Sequence, residues 1–263
     1  MATRSALINV MCKAADKAAR SLRRDFGEVE QLQVSQKGPA DFVSNADIKA
    51  DRIIKEELKK ARPGFGFMME ESGTEAGSDP DHRWICDPLD GTTNFLHGIP
   101  HFAISIALEA KGEIVAGVVF DPIKDELFWA EKGAGAFLNE RRMRVSGRKN
   151  MNECLLGTGI PFRGHGHFDR FLGQMDKAMR ETAGVRRLGA AALDLAYVAA
   201  GRYDGFWEEF LSPWDMAAGI VLVKEAGGYV SDLKGGQSML KSGEILASNN
   251  TLHAPIQALI GHR

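Results

Sequence analysis

The sequence predicts a fold of mixed α and β structure, α+β in the first half and α/β in the second. An amphipathic helix opens the chain, residues 102–130 alternate like an antiparallel meander, and strand-like and helix-like segments alternate further on. With 263 residues, 44% of them hydrophobic, the chain is long enough for a sizeable core. We expect a single domain over residues 1–263, with halves of roughly 1–150 and 151–263.

The first predicted helix is amphipathic and packs on the core. Its apolar residues recur at helical spacing, namely Leu7, Val10, Met11, Ala14, Ala18 and Leu22. The apolar run at its start is too short to cross a membrane, and charged residues interrupt it. We therefore expect neither a membrane anchor nor an export signal.

The rest of the first half reads as one more helix followed by strands. A helix is predicted to begin at Ser44–Asn45 and to run to about Lys60. The polar, turn-rich segment Gly73–His82 is predicted to be a flexible surface loop. Three strands are then expected, at Phe102–Leu108, Ile114–Phe120 and Glu126–Ala130, the first two joined tightly at Lys111–Gly112. We expect this meander to form an antiparallel sheet.

In the second half, helices and short strands alternate, which favours an α/β layer. Phe168–Met179 is a predicted amphipathic helix, and Gly189–Ala192 begins a helix of small residues. Ser212 is the expected N-cap of a later helix, with Pro213 at its first position and Asp215 in its first turn. A mixed sheet is expected here.

Charge and cysteine content narrow the function classes. A net charge of −2 gives no general electrostatic reason to expect binding to nucleic acid or to an anionic membrane. The three cysteines, Cys12, Cys86 and Cys154, are far apart and odd in number, so they indicate neither a disulfide framework nor a metal cluster. They favour a reducing cytoplasm.

The most informative stretch is residues 83–95, where an apolar strand is predicted to stop in a polar turn at Asp87-Pro88. Asp87 and Asp90 stand three residues apart in this turn. Two unscreened charges about 4 Å apart repel by about 4 kcal/mol at an effective dielectric near 20, and Mg²⁺ with oxygen ligands removes that penalty. The Leu89 carbonyl is a further candidate oxygen ligand, and the N–H groups of Gly91 and Thr92 are candidates for holding a phosphate. Taken alone, Asp-Pro and Asp-Gly pairs are more often surface turns without chemistry.

Two further segments favour the chemical interpretation. Glu70 follows the apolar run Phe65–Met69, and Asp215 opens a helix. Acids at two strand ends and one helix start are able to converge on one point.

These residues resemble the inositol monophosphatase family of Mg²⁺-dependent, lithium-sensitive phosphatases. The motif D-P-[IL]-D-G-T-T is present at Asp87–Thr93, W-D-x-A-A-G at Trp214–Gly219, and E-E-S at Glu70–Ser72, in the family's order. The resemblance extends from about Ala14 to Ala247. It implies a five-layer αβαβα sandwich and a homodimer.

The resemblance also implies a set of metal ligands and catalytic residues. Two to three Mg²⁺ ions are expected on Glu70, Asp87, Asp90, Asp215 and the Leu89 carbonyl. Glu70, Asp87 and Leu89 would hold one ion, and Asp87, Asp90 and Asp215 another. The expected catalytic residues are Thr92, Asp47 and Glu70, with Thr92, held by Asp47, positioning or deprotonating the attacking water. Lys37 is a further candidate near the site.

Substrate contacts follow from the same resemblance. The phosphate is expected at Gly91 and Thr92. The leaving group is expected at Gly189, Ala190, Ala191, Glu208 and Asp215. Glu208 stands seven residues before Asp215, the spacing of the family glutamate that contacts an inositol hydroxyl. Glu209 and Phe210 depart from the family pattern.

The predicted reaction is Mg²⁺-dependent hydrolysis of a phosphate monoester, myo-inositol 1-phosphate in the first instance. Fructose 1,6-bisphosphate, histidinol phosphate and a 3′-phosphoadenosine nucleotide are alternative substrates for the same chemistry. A third hypothesis is a non-enzymatic role in binding RNA or transcription machinery, known for some bacterial relatives. It would depend on the basic run from Arg141 to Lys149.

Overall fold

Five layers of helix and sheet, in the order αβαβα, make up the part of the chain that the structure describes. The structure is a computed structural model that describes residues 4–28, 34–38, 41–161 and 167–261, and only the backbone of residues 34–38 and 41–43. The layered sandwich expected from the resemblance is confirmed.

The described residues form eight α-helices and fifteen strands. The helices are α1 (Ala6–Phe26), α2 (Asn45–Ala61), α3 (Thr92–Leu96), α4 (Phe168–Glu181), α5 (Ala191–Ala199), α6 (Pro213–Glu225), α7 (Met239–Ser242) and α8 (His253–Ile260). The strands are β1 (Val34–Gly38), β2 (Asp41–Ser44), β3 (Phe65–Met69), β4 (Gly73–Glu75), β5 (Asp79–Asp90), β6 (Ala103–Ala110), β7 (Glu113–Asp121), β8 (Glu126–Glu131), β9 (Gly135–Leu138), β10 (Arg141–Arg142), β11 (Leu155–Thr158), β12 (Gly184–Arg186), β13 (Gly205–Glu208), β14 (Gly228–Ser231) and β15 (Ile245–Asn249).

Helices α1 and α2 form the first layer, and they pack on one face of the first sheet. The Ser5 hydroxyl caps α1 by accepting a hydrogen bond from Ile8 N at 3.1 Å. The apolar stripe of α1 is buried, with Ile8, Met11 and Leu22 fully covered by α2 and the sheet. The predicted helical spacing of apolar residues is therefore confirmed as a packing face.

The second layer is an eight-stranded sheet with strand order β10-β9-β8-β7-β6-β5-β3-β4. The meander β6-β7-β8 is antiparallel, as predicted, and Lys111 and Gly112 turn the chain between β6 and β7 with φ values of 53° and 78°. The sheet as a whole is not antiparallel, as the first half was expected to be, because β3 and β5 pair in parallel. Strand β5 therefore runs in the same direction as β3, and α2 lies before both strands in the chain.

Two local predictions in this sheet need correction. Strand β5 does not stop at Asp87 but continues to Asp90, with an irregular register between the two residues where Pro88 cannot donate a ladder hydrogen bond. The segment Gly73–His82 is not a free loop. Its first residues form β4 against β3, and its last residues begin β5, because backbone pairing at the sheet edge offsets the polar composition.

The fourth layer is a five-stranded mixed sheet with strand order β12-β11-β13-β15-β14, as the alternation in the second half indicated. Strand β11 runs parallel to β12 and β13, and β15 runs antiparallel to β13 and β14. Helices α4 and α8 cover its outer face around a separate core that includes Trp207 and Leu246. No helix in the described part of the chain combines the length and the apolar character that a membrane crossing requires.

The middle layer consists of α5 and α6, which lie between the two sheets. All nine residues of α5 are buried, which is why its apolar residues show no single face. A Cβ at Gly219 of α6 would lie only 2.4 Å from Leu195 Cδ1 of α5, and one at Gly117 of β7 would lie 2.8 Å from Ala218 O. The small residues at the end of the W-D-x-A-A-G motif thus let α6 fit between its neighbours.

We predict that Gly219→Ala lowers the free energy of unfolding by about 1–3 kcal/mol, because the new methyl group overlaps Leu195. Gly173→Ala in α4 is the matched control, since a Cβ there meets nothing within 4 Å. It should raise the free energy of unfolding by up to about 1 kcal/mol through helix propensity alone. Urea unfolding followed by circular dichroism measures both, and shifts of equal sign would contradict the packing argument.

Candidate active site

The parallel pairing of β3 and β5 brings Glu70 next to Asp87. Met69 is in register with Cys86, so the residues that follow them, Glu70 and Asp87, lie at the same edge of the sheet. The pairing extends one step further, because Glu70 N donates to Cys86 O at 3.1 Å. The carboxyl groups of Glu70 and Asp87 lie within hydrogen-bonding reach of each other.

The irregular end of β5 shapes the turn between Asp87 and Asp90. Asp87 Oδ1 accepts a hydrogen bond from Leu89 N at 2.8 Å, which folds the turn over the side chain. The Leu89 side chain is 1% exposed and anchors the turn in the core. Its carbonyl oxygen lies 3.0 Å from Thr92 Oγ1. This turn is therefore fixed from inside the protein, unlike a surface turn.

Asp90 links the first sheet to the middle layer. Its Oδ2 accepts a hydrogen bond from Ala192 N at 2.8 Å, at the beginning of α5. A carboxylate at a helix N-terminus is favoured by unpaired N–H groups and by the helix dipole. The start of α5 is thereby held against the motif turn.

Asp215 reaches the same point from α6. Its Oδ2 accepts from Ser212 N at 2.8 Å, so that it closes the first turn of the helix from within. The start of α6 is tied to the first sheet because Ser105 Oγ of β6 donates to Trp214 O at 3.1 Å. Ser212 and Pro213 stand at the N-cap and first position, as predicted.

Burial and mutual repulsion raise the pKa values of these carboxyl groups. The pKa of Asp87 is held well above its usual range, first by burial and then by the charges of Glu70, Asp90 and Asp215. Burial raises the pKa of Asp90 to about 7, against hydrogen bonds from the start of α5. Burial and the charge of Asp90 raise the pKa of Asp215 to about 7. Such repulsion operates only between groups that lie close together.

Thr92 and Asp47 form a pair beside these acids. Thr92 Oγ1 lies 3.0 Å from Asp47 Oδ1, and Asp47 Oδ2 accepts from Ser44 N at 2.9 Å at the start of α2. Burial raises the pKa of Asp47, while the hydrogen bonds from Ser44 and Thr92 lower it. Asp47 is thus both the capping acid of α2 and the partner of Thr92.

The loop residues next to the pair depend on a glycine and an asparagine. Gly91 has φ +94°, and a Cβ there would lie 3.1 Å from His101 O, so a side chain would be strained and crowded. Asn94 Nδ2 donates to His101 O at 2.8 Å and to Leu188 O at 2.9 Å. Asn94 therefore holds the segment before Gly189 against α3. Sequence reasoning missed this role, although Asn94 directly follows the D-G-T-T motif.

Glu208 stands across the cleft at the end of β13. Its carboxylate lies over the backbone of Gly159, where a Cβ would be 1.8 Å from Glu208 Oε1. Burial and the charges of Asp215 and Asp90 raise the pKa of Glu208 to about 8, and the charge of Arg187 lowers it. Asp194 of α5 is 1% exposed beside this group, and its pKa is raised well above its usual range by burial and Glu208. No motif or spacing in the sequence pointed to Arg187 or Asp194.

The donor atoms at this point suit a hard divalent cation. They are carboxylate oxygens and one backbone carbonyl, the ligand types that Mg²⁺ takes. Among the described residues, no three His, Cys, Asp or Glu side chains already stand in a ready metal-binding arrangement. A bound cation would relieve both the burial and the mutual repulsion that raise the pKa values of these carboxyl groups.

The comparisons with known proteins agree with this arrangement. A family model described as "Inositol monophosphatase family" matches residues 3–261. The chain belongs to the inositol monophosphatase family. It is 62% identical over 249 residues to an inositol-1-monophosphatase of Mesorhizobium japonicum, covering 95% of this chain and 94% of that protein. It is 49% identical over 247 residues to the Nus factor SuhB of Pseudomonas aeruginosa, covering 92% and 91%.

A solved structure has a closely similar fold. The extragenic suppressor protein suhB of Bartonella henselae superposes with a TM-score of 0.95 at 57% identity, covering 97% of this chain and 98% of that one. Members of the inositol monophosphatase family are metal-dependent phosphatases that hydrolyse phosphate monoesters. Membership thus agrees with the resemblance seen in the three motifs.

The structure brings together most of the predicted site residues. Four carboxyl groups and the Leu89 carbonyl meet at one edge of the first sheet, with the pair of Thr92 and Asp47 beside them. Gly189, Ala190 and Ala191 lead into α5, whose next residue, Ala192, binds Asp90. Lys37 lies in β1, and its side chain is outside the described part of the structure.

We predict that Asp47→Ala and Thr92→Val separate stability from catalysis. Asp47→Ala removes the acceptor of Ser44 N and should cost about 1–2 kcal/mol in free energy of unfolding. Thr92→Val removes one hydroxyl from a side chain of similar shape and should cost no more than about 1.5 kcal/mol. Both should abolish phosphate release. Urea unfolding and a phosphate assay measure the two effects, and an active Thr92→Val enzyme would contradict the assignment.

We predict that Mg²⁺ raises the thermal midpoint of the protein relative to chelator, because the ion removes repulsion among buried carboxylates. At an Mg²⁺ concentration of about 100 Kd the linkage adds about 2.7 kcal/mol. Asp90→Asn keeps an acceptor for Ala192 N but loses a charge, so its response to Mg²⁺ should be much smaller. Differential scanning fluorimetry tests this, and an equal response in both proteins would count against the site.

Proposed function

We propose that this protein hydrolyses myo-inositol 1-phosphate to inositol and phosphate with the help of Mg²⁺. The observation that carries the proposal is the convergence of Glu70, Asp87, Asp90 and Asp215 beside the Thr92–Asp47 pair. We assign the metal-ligand role to these four acids and to the Leu89 carbonyl, with two to three Mg²⁺ ions. When bound, Mg²⁺ supplies charge stabilisation at the phosphoryl oxygens and acidifies water.

Thr92 is the residue that handles the proton of the attacking water. Its hydroxyl can donate to Asp47 Oδ1 at 3.0 Å, which leaves oxygen lone pairs free to accept from water. Asp47 is kept in place by Ser44, so the hydroxyl has a fixed direction. Glu70, at the end of β3, is a second acceptor on the same side of the cleft. These groups orient the water for in-line attack on phosphorus.

The substrate lies between the motif turn and the start of α5. Backbone N–H groups of Gly91 and Thr92 bind the phosphate. Gly189, Ala190 and Ala191 present backbone without large side chains to the leaving group, and Glu208 and Asp215 bind its hydroxyls. Lys37 supplies a further positive charge. A homodimer, a cytoplasmic location and sensitivity to lithium are proposed from the family resemblance alone.

The deciding experiment measures phosphate release from inositol 1-phosphate with and without Mg²⁺. We predict Mg²⁺-dependent turnover that falls at least about 100-fold in Asp90→Asn, since one charged ligand is lost while the fold is kept. Asp81→Asn, which changes an exposed aspartate in β5, is the matched control and should retain full activity. Release from fructose 1,6-bisphosphate, histidinol phosphate or a 3′-phosphoadenosine nucleotide alone would keep the chemistry and change the substrate.

The second candidate is a non-enzymatic role in binding RNA or transcription machinery. The name of the Pseudomonas aeruginosa relative, Nus factor SuhB, supports it. The relevant surface, the basic run from Arg141 to Lys149, is partly engaged, because Arg148 is paired with Asp204 at 3.2 Å and Arg142 lies over the Phe137 ring. Asp90→Asn would leave such binding intact, so RNA binding retained in an inactive variant distinguishes the two roles.

A further inference from the structure

The cleft does not end at Glu208 but continues into a cavity of about 400 Å³. Its inner end includes Glu70, Glu208 and Asp215, so it is continuous with the candidate active site. Its lining also includes four large apolar side chains, Ile160, Phe171, Phe210 and Trp214, which we call the apolar wall. A cavity that combines acids with a group of apolar side chains is typical of a site that binds a ligand with two chemically different ends.

Phe210 adopts an unusual backbone conformation in this wall. Its φ is +65°, in the left-handed region that bulky side chains rarely occupy. The other described non-glycine residues with positive φ are Lys111, Asp125 and Asn139, all polar residues in connections between strands. Strain of this kind is retained when surrounding bonds fix it, and it is concentrated at functional sites.

Bonds on both sides of Phe210 hold it in this conformation. On one side, Glu209 Oε1 accepts a hydrogen bond from Arg170 Nη2 of α4 at 2.6 Å. On the other side, Leu211 N donates to Gly243 O at 2.9 Å. The chain between these anchors is short, so the Phe210 side chain is directed to the cavity.

The Phe210 ring is exposed although it lines the cavity. It is 50% exposed, and Ile160 across the wall is 47% exposed. The His167 ring lies 6.1 Å from the Phe210 ring at an angle of 58°. Large apolar groups left open at the mouth of a cleft gain free energy only when something apolar covers them. Because the cavity is continuous with the inner carboxylates, the apolar group that covers these side chains is inferred to be the far end of the substrate.

We propose that Phe210 and the apolar wall beside it form a subsite for a flat aromatic ring on the leaving group. The inference rests on the proposed phosphatase function and adds a second class of substrates to inositol 1-phosphate. These further monoesters carry the phosphate at one end, a hydroxyl within reach of Glu208, and an aromatic or heteroaromatic ring beyond it. Offset or edge contact between rings supplies the selectivity.

The test compares two phosphate monoesters, the 3-O-phenyl and 3-O-methyl ethers of glycerol 1-phosphate. They differ only at the end far from the phosphate. Both have the same ester oxygen and the same free hydroxyl, so differences in leaving-group chemistry cancel. We expect the protein to prefer the phenyl ether by about tenfold in kcat/KM, mostly through KM. Phe210→Gly should reduce the preference to about twofold or less.

Two control variants separate the ring from the backbone. Phe210→Gly relieves the positive φ, so its thermal midpoint should not fall, whereas loss of a purely structural Phe would lower it. Lys111→Gly makes the same backbone change at φ 53° and should keep the full preference for the phenyl ether. Phe168→Ala removes a Phe that is 51% exposed outside this cavity, and it should also keep the preference.

The outcomes are distinguishable. Hydrolysis of inositol 1-phosphate without a preference for the phenyl ether, or with a preference unchanged in Phe210→Gly, overturns the ring subsite and leaves the phosphatase function standing. Absence of hydrolysis of every ester overturns both. A Phe210→Gly variant whose mass by light scattering changes, while its preference does not, would identify the wall as a contact between copies and overturn the proposal.

Discussion

The close approach of buried carboxyl groups at the edge of the first sheet is the interaction on which the rest of the site depends. Asp87 and Asp90 are 2% and 9% exposed, and each raises the cost of ionising its neighbours. Such a cluster is unfavourable by itself, so the surrounding structure must hold it together. It does so with backbone N–H groups, because Leu89 N binds Asp87 and Ala192 N binds Asp90.

The same bonds join the layers of the fold. Asp90 connects the first sheet to α5, and the bond from Ser105 to Trp214 connects that sheet to α6. Gly219 lets the two helices approach closely enough for both of their N-termini to face the motif turn. The middle layer therefore serves packing and chemistry together, since a shift of either helix would displace a carboxylate or its partner.

The residues around the carboxyl cluster contribute in different ways to the cleft. Asp47 contacts Thr92 and is at the same time the capping acid of α2, so the contact that we propose for catalysis is anchored by a structural one. Burial raises the pKa values of Glu208 and Asp194, and the charge of Arg187 partly offsets this increase. Phe210 is different, because its strained backbone contributes exposed apolar surface rather than charge.

The sequence by itself indicated most of the helices and strands, because turn residues, helix caps and apolar spacing act locally. Its three motifs indicated the layered fold and the candidate acids through their resemblance to the family. It could not determine that β3 and β5 are parallel, that β5 continues through Asp87 to Asp90, or that Gly73–Glu75 pairs at the sheet edge. Those features depend on hydrogen bonds between segments distant in sequence. Arg187, Asp194 and Phe210 belong to the same class, since their environment comes from packing between layers and not from their neighbours in the chain.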